Sequence, residues 1–179
     1  MLYILYMSKK TMSEVLNELE NINPFPSKNP IKDKTRMNVV GGKEEAKKEK
    51  VIEAFTLGMT RAYDKKHLVP SVNNRNPKLQ QLHILLKKLM KERDPTYKYT
   101  TIQINKNVET DWHEDKNNIG KSYCLSLGNF TGGALELKTE KGIVSLPTKN
   151  KMVFYDGNIE HRTGDYKGTR YAIIWFKRK

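Results

Sequence analysis

One cysteine in 179 residues rules out an internal disulfide framework. Cys124 lies in a strand-like run and reads as a small buried hydrophobe rather than a reactive thiol. No apolar stretch approaches the length of a membrane span. The N-terminal MLYILYM is short, lacks a preceding basic region and has no small-residue cleavage site, so it does not read as a secretory signal. An intracellular protein, cytoplasmic or nuclear, with no membrane partner is expected. Acidic residues are outnumbered, with 20 Asp and Glu against 33 Lys and Arg, for a net charge of +13. Such a balance favours polyanions, nucleic acid above all. Lys-rich helices that only solvate a surface would give the same count.

Hydrophobic content of 37% with 30% charged residues fits a soluble globular chain, and the length fits one domain spanning 1–179. Thr11-Met-Ser-Glu14 resembles a capping box and predicts a short helix to about Asn21, with Val15 and Leu16 as apolar contacts. The proline-rich stretch 22–34 predicts a loop, and 35–42 a short strand. From Lys43 to about Lys66, Val51, Ile52, Phe55, Met59 and Ala62 recur at helical spacing and predict a helix. Asn76-Pro77 supplies an N-cap and a first-turn proline for a helix running to about Arg93. Leu79, Leu82, Leu85, Leu86, Leu89 and Met90 should form its buried face. Lys87, Lys88, Lys91 and Arg93 suit the helix dipole before they suggest any DNA contact. His67 and His83 read as structural or exposed.

Beyond Tyr97 the period changes. Strands are predicted at 97–105, 111–115, 121–127, 134–138, 142–146, 151–155 and 170–177, separated by turn residues. Helices first and strands after argue an α+β fold in which helices support one face of a β-sandwich or barrel.

Within this half His113 and Asp115 are two positions apart, and on a strand they would project to one face. His161 and Arg170 follow in order. Two imidazoles and one carboxylate form the facial set that suits non-haem Fe(II) and O2. Arg170 offers a planar cationic fork for the far carboxylate of an α-keto diacid. Trp112 should point away from His113 into the core, and Trp175 should be packing.

The residues HED at 113–115, FTGGALEL at 130–137, MVFYDGNIEH ending at His161 and GTRYAIIWF at 168–176 resemble the 2-oxoglutarate/Fe(II)-dependent dioxygenase superfamily. WHEDKNNIGKSY is similar to the branch of ten-eleven-translocation and base-J thymidine hydroxylases. The GG turn and the RY…WF ending also resemble prolyl hydroxylases. The resemblance implies a double-stranded β-helix, or jelly-roll, core over 96–179, with 1–95 as mostly helical support and loops. It implies Fe(II) on His113, Asp115 and His161, 2-oxoglutarate as co-substrate with its distal carboxylate on Arg170, and O2. Many relatives carry a hydroxyl two residues after that arginine, where this chain has Ala172, so another donor is needed. Tyr123 and Asn105 are candidates; the first could equally be core, the second a strand-end residue. Asn117 and Asn118 are candidates for reading a base edge or for shaping a turn.

The expected activity is hydroxylation of a nucleic-acid pyrimidine methyl group, on thymine or 5-methylcytosine. The alternatives are an intracellular prolyl or lysyl hydroxylase acting on a protein substrate, and a metal- or DNA-binding jelly roll without turnover.

Overall fold

Residues 8–28, 52–62, 64 and 66–179 are described in the computed structural model. Helix α1 spans Lys9–Asn21 and α2 spans Pro77–Arg93. Two of the three expected helices are present, and α1 starts earlier than its sequence signal. Its N-cap is Ser8, whose hydroxyl accepts from the Thr11 amide at 3.3 Å. Thr11 is buried instead of capping, and its hydroxyl donates to Glu92 Oε1 at 2.9 Å, pinning α1 to α2. For α2 the cap is Asn76, followed by Pro77. All six predicted apolar residues of α2 are buried, each worth roughly 1.5–3 kcal/mol of transfer free energy.

The strands are β1 (Ser27–Lys28), β2 (Ile52–Arg61), β3 (Leu68–Pro70), β4 (Thr101–Lys106), β5 (Asn118–Leu127) and β6 (Phe130–Gly132). They continue with β7 (Leu135–Thr139), β8 (Gly142–Leu146), β9 (Val153–Tyr155), β10 (His161–Thr163), β11 (Tyr166–Gly168) and β12 (Tyr171–Arg178). A seven-stranded sheet runs β1-β2-β4-β12-β5-β9, with β3 also paired to β2. A three-stranded sheet runs β10-β7-β8, and β11 pairs with β6. Every one of these pairings is antiparallel.

The helix predicted over 43–66 is corrected: 52–61 is strand, while 43–51 and the strand predicted at 35–42 lie outside the described residues. β2 is covered on both faces, so Ile52, Ala54, Phe55, Thr56 and Leu57 are all buried and no alternation shows in the sequence. At Gly58, with φ of +78°, a Cβ would meet Thr100 O at 2.5 Å, which explains a glycine in mid-strand.

Register divides the large sheet into two faces. Phe55, Ile104, Ile173 and Leu125 form one cross-strand row, and Leu57, Ile102, Trp175 and Tyr123 the next. Both rows pack with α1 and α2 in the main core, where Trp175 is fully buried, as predicted. The opposite face carries the rows Ala54, Asn105, Ala172, Ser126 and Thr56, Gln103, Ile174, Cys124. Cys124 there meets Leu135, Leu137 and Tyr155, so this face looks across at the smaller sheet. The space between the sheets is where the candidate site lies.

Candidate metal and co-substrate site

Residues 111–115 do not form the predicted strand. Only His113 is bridged, to His161, with His113 N donating to His161 O at 3.0 Å and the reverse bond at 2.9 Å. Thr163 N also donates to Thr110 O at 3.1 Å, so 110–113 runs antiparallel alongside β10 without forming a strand. Past His113 the chain turns away, and Asp115 is held by its own contacts: its amide donates to Gly157 O at 2.7 Å. A Cβ at Gly157 would lie 3.1 Å from both Cβ and Oδ2 of Asp115, a tight contact, so the glycine leaves the carboxylate its room.

The three side chains nonetheless converge. His113 Nε2 lies 3.7 Å from Asp115 Oδ1, and His161 Nε2 lies 3.7 Å from Asp115 Oδ2. One ligand atom from each residue falls within 4.8 Å of the others. A divalent ion bound at roughly 2.1 Å needs ligand atoms about 3–4 Å apart. Both rings are oriented alike: His113 Nδ1 donates to Asp111 O and His161 Nδ1 to Ile159 O, each at 2.7 Å. With Nδ1 engaged in that bond, Nε2 is the nitrogen each ring turns to the cluster, as a metal ligand requires. Burial, then the neighbouring His113, lowers the His161 pKa, which favours the neutral ring. Asn118 donates to Asp115 Oδ2 at 3.2 Å and orients the carboxylate. The donor set and its outer hydrogen bonds suit Fe(II).

Arg170 is 4% exposed and shares the inward face with Ala172 and Ile174. Among the described residues its guanidinium has no ion-pair partner, and its Nε has no hydrogen-bond acceptor. It lies over the rings of Tyr166 and Phe130, at 5.6 and 5.8 Å from their centroids. Burial draws its pKa down. An orphaned buried cation is what a carboxylate-bearing ligand would complete. The Cys124 thiol feels both the Arg170 guanidinium and the Asp115 carboxylate. Burial is the largest effect and outweighs the lowering by Arg170, with a smaller upward push from Asp115, so the thiol is raised to about 11, in line with the inert residue predicted.

The other predicted residues separate. Tyr123 is on the helix-facing side of β5 and its hydroxyl donates to Asp94 Oδ2 at 3.0 Å, so it is turned away from Arg170. Asn105 is buried on the inward face and its Oδ1 accepts from Gln103 at 2.9 Å. Asn117 is exposed and accepts from Arg61 at 3.1 Å, while Asn118 is buried against Asp115, so the two do not present a joint hydrogen-bonding edge. Trp112 is not in the core. It lies on the outer surface of the small sheet with Lys138 Nζ 4.4 Å and Arg162 Cζ 4.8 Å from its ring centroid. His67 is exposed beside Asp64, and His83 is half-buried on α2.

Ser126 and Thr148 were not singled out from sequence. Ser126 is fully buried next to Ala172 in the same row, and its Oγ accepts from Thr148 Oγ1 at 3.0 Å. Its own proton has no acceptor among the described residues. Thr148 also approaches Gly133 O, and Gly133 lies directly against the Arg170 side chain. The signal was available as alternation: small Ser122, Cys124 and Ser126 against large Tyr123, Leu125 and Leu127.

The fold is a double-stranded β-helix, or jelly roll, with helices on the outer face of its larger sheet. Two solved structures share it. An oxidoreductase of the 2OG-Fe(II) oxygenase family from Burkholderia pseudomallei superposes with a TM-score of 0.66 at 14% identity, covering 98% of this chain and 82% of that one. NgTET1 in complex with 5mC DNA superposes with a TM-score of 0.59 at 17% identity, covering 97% of this chain and 69% of that one. No protein-family model and no curated protein matches the chain. Among the described residues no helix is long and apolar enough to cross a membrane.

Proposed function

We propose that this chain is an Fe(II)/2-oxoglutarate-dependent dioxygenase. His113, Asp115 and His161 hold the iron, and Arg170 pairs with the distal carboxylate of 2-oxoglutarate. Ser126 and Asn105, the two cross-strand neighbours of Ala172, supply the hydroxyl and amide that Ala172 lacks. The observation that carries the reading is a converging His-Asp-His set together with a buried guanidinium that has no ion-pair partner among the described residues. Iron bound there with 2-oxoglutarate would supply the oxidation, using O2 to convert 2-oxoglutarate to succinate and CO2 with one oxygen atom and to hydroxylate a C–H bond with the other. The chain's own part is to turn Nε2 of both imidazoles toward the metal position, fix the carboxylate through Asn118, and keep water out with Leu135, Leu137 and Tyr155. A jelly roll that only binds metal or DNA would have no use for the buried Arg170.

The substrate we propose is a nucleic-acid pyrimidine carrying a methyl group. Support comes from the net charge of +13 and from the likeness to a structure holding 5mC DNA. The reactive methyl must be brought to the metal by flipping the base or by using a single strand. The test is incubation with Fe(II), 2-oxoglutarate and methylated or thymine-containing DNA and RNA, followed by nucleoside mass spectrometry. Hydroxymethyl pyrimidine that disappears in His161→Ala is expected. Succinate released with peptides, a +16 Da peptide product and no oxidised nucleoside would replace this substrate with a protein one.

A further inference from the structure

We propose that Trp112 is a positioning residue for His113, holding the metal-ligand segment against the small sheet from its outer side. The proposal rests on the iron-site reading above. Segment 110–113 runs antiparallel to β10, so neighbouring side chains leave on opposite faces. His113 goes inward to meet His161, with ring centroids 4.3 Å apart. Trp112 goes outward, directly across from Arg162.

That outer face holds a square of paired charges. Lys138 meets Glu160 and Arg162 meets Glu136, each at 2.7 Å. The pairs tie β7 to β10, but exposed pairs of this kind hold a surface only weakly. The indole takes up both cations, with Lys138 Nζ at 4.4 Å and Arg162 Cζ at 4.8 Å from its centroid. Arginine and lysine over tryptophan are the strongest pairings of this type. The indole thereby joins a third strand-like segment to the two strands that the ion pairs already link.

The segment needs that anchor. Asp111 and Glu114, on either side of Trp112 and His113, are exposed, and the chain leaves the sheet after His113. The His113 ring itself has one hydrogen bond, to Asp111 O two residues back in the same segment. Whatever lets 111–113 drift therefore carries the imidazole and the carbonyl it is hydrogen-bonded to away together. The same geometry excludes Trp112 as a platform for a flipped base, since it faces away from the ligands and is already covered by paired cations.

Co(II) serves as the probe, followed by calorimetry and by its visible ligand-field spectrum under anaerobic conditions. Wild type is compared first with His161→Ala. If the two bind Co(II) alike, the iron-site reading itself fails, whatever Trp112 does. Given a wild-type site, Trp112→Ala should weaken Co(II) binding about 10-fold or more and alter the spectrum. Trp112→Phe, which keeps an aromatic face for both cations, should recover most of the affinity. Phe154→Ala is the control, because Phe154 is 46% exposed on the other sheet with Lys121 Nζ 5.6 Å from its ring centroid. It should leave Co(II) binding unchanged. The proposal is overturned if Trp112→Ala keeps the wild-type affinity and spectrum, if Trp112→Phe is as weak as Trp112→Ala, or if Phe154→Ala weakens binding equally.

Discussion

Replacing Arg170 by methionine should leave the ligand-free protein at least as stable as wild type while abolishing its response to 2-oxoglutarate. The guanidinium is 4% exposed, and its Nε finds no acceptor among the described residues. A buried donor left without a partner costs about 1–3 kcal/mol, and more when charged. Against this stand two aromatic contacts, with Tyr166 and Phe130, returning about 0.5–1 kcal/mol each. Methionine fills similar space without a charge and adapts to the ring edges. With the penalty at the upper, charged end of that range, about 2–3 kcal/mol, and about 1–2 kcal/mol returned by the two rings, the variant falls between equal stability and about 2 kcal/mol gained. For a chain of this size that is up to about 4–8 °C in Tm. The wild type should gain about 2.7 kcal/mol when 2-oxoglutarate, with Mn(II) in place of iron, is present at 100 times its Kd. Arg170→Met should gain almost nothing under the same conditions. Differential scanning calorimetry with and without the co-substrate reads both effects. Arg170→Met losing several kcal/mol without ligand would show that the cation has partners enough to be structural. An undiminished 2-oxoglutarate shift would remove it from the co-substrate site.

Three further tests probe the neighbouring groups. Gly157→Ala places a Cβ 3.1 Å from Asp115 Oδ2, so metal affinity by calorimetry should fall about 10-fold or more with little change in the metal-free Tm; unchanged affinity would mean the carboxylate has room to yield. Tyr123→Phe removes a hydrogen bond to Asp94, so it should lose about 1 kcal/mol in a denaturant titration with no change in 2-oxoglutarate affinity. A weaker 2-oxoglutarate complex would return Tyr123 to the site. Burial pushes the Cys124 thiol up from 9.0 to about 11, so the folded state keeps a proton that the unfolded chain releases. The associated stability is fully present below about pH 9 and is lost as pH climbs towards 11. Cys124→Ala should flatten that alkaline decline in the denaturant midpoint, and an equally steep decline would refute the assignment.

Helix α2 could be read in full because its signals agree. A cap, a first-turn proline and six apolar residues at helical spacing all demand the same structure. β2 could not, since a strand buried on both faces loses the alternation that identifies strands, and a helical face then fits its apolar residues by accident. Gly58, Thr56 and Thr60 argued against a helix, but three residues of weak propensity do not outweigh a misleading period. The short strands β6, β10 and β11 went unread for another reason. Each has three residues, too few for any pattern, and each exists because a partner strand is adjacent.

The site was legible as a set of residue types and illegible as geometry, and one physical contrast accounts for both. Reading hydrophobicity along β2, β4, β5 and β12 finds the face made of Phe55, Leu57, Ile102, Ile104, Leu125, Ile173 and Trp175, which is the face under the helices. The chemistry is on the other face, where Ala54, Thr56, Gln103, Asn105, Ser126 and Ala172 are small or polar yet largely buried. Small side chains keep the inter-sheet space open, and polar ones would be unfavourable there without a ligand or one another. Tyr123 was chosen as a hydroxyl donor for its chemistry, but its odd position in β5 sends it to the helices, while Ser126 shares the inward parity of Cys124. In such a barrel the small-residue rows across adjacent strands, rather than the large-residue rows, trace where a ligand will sit.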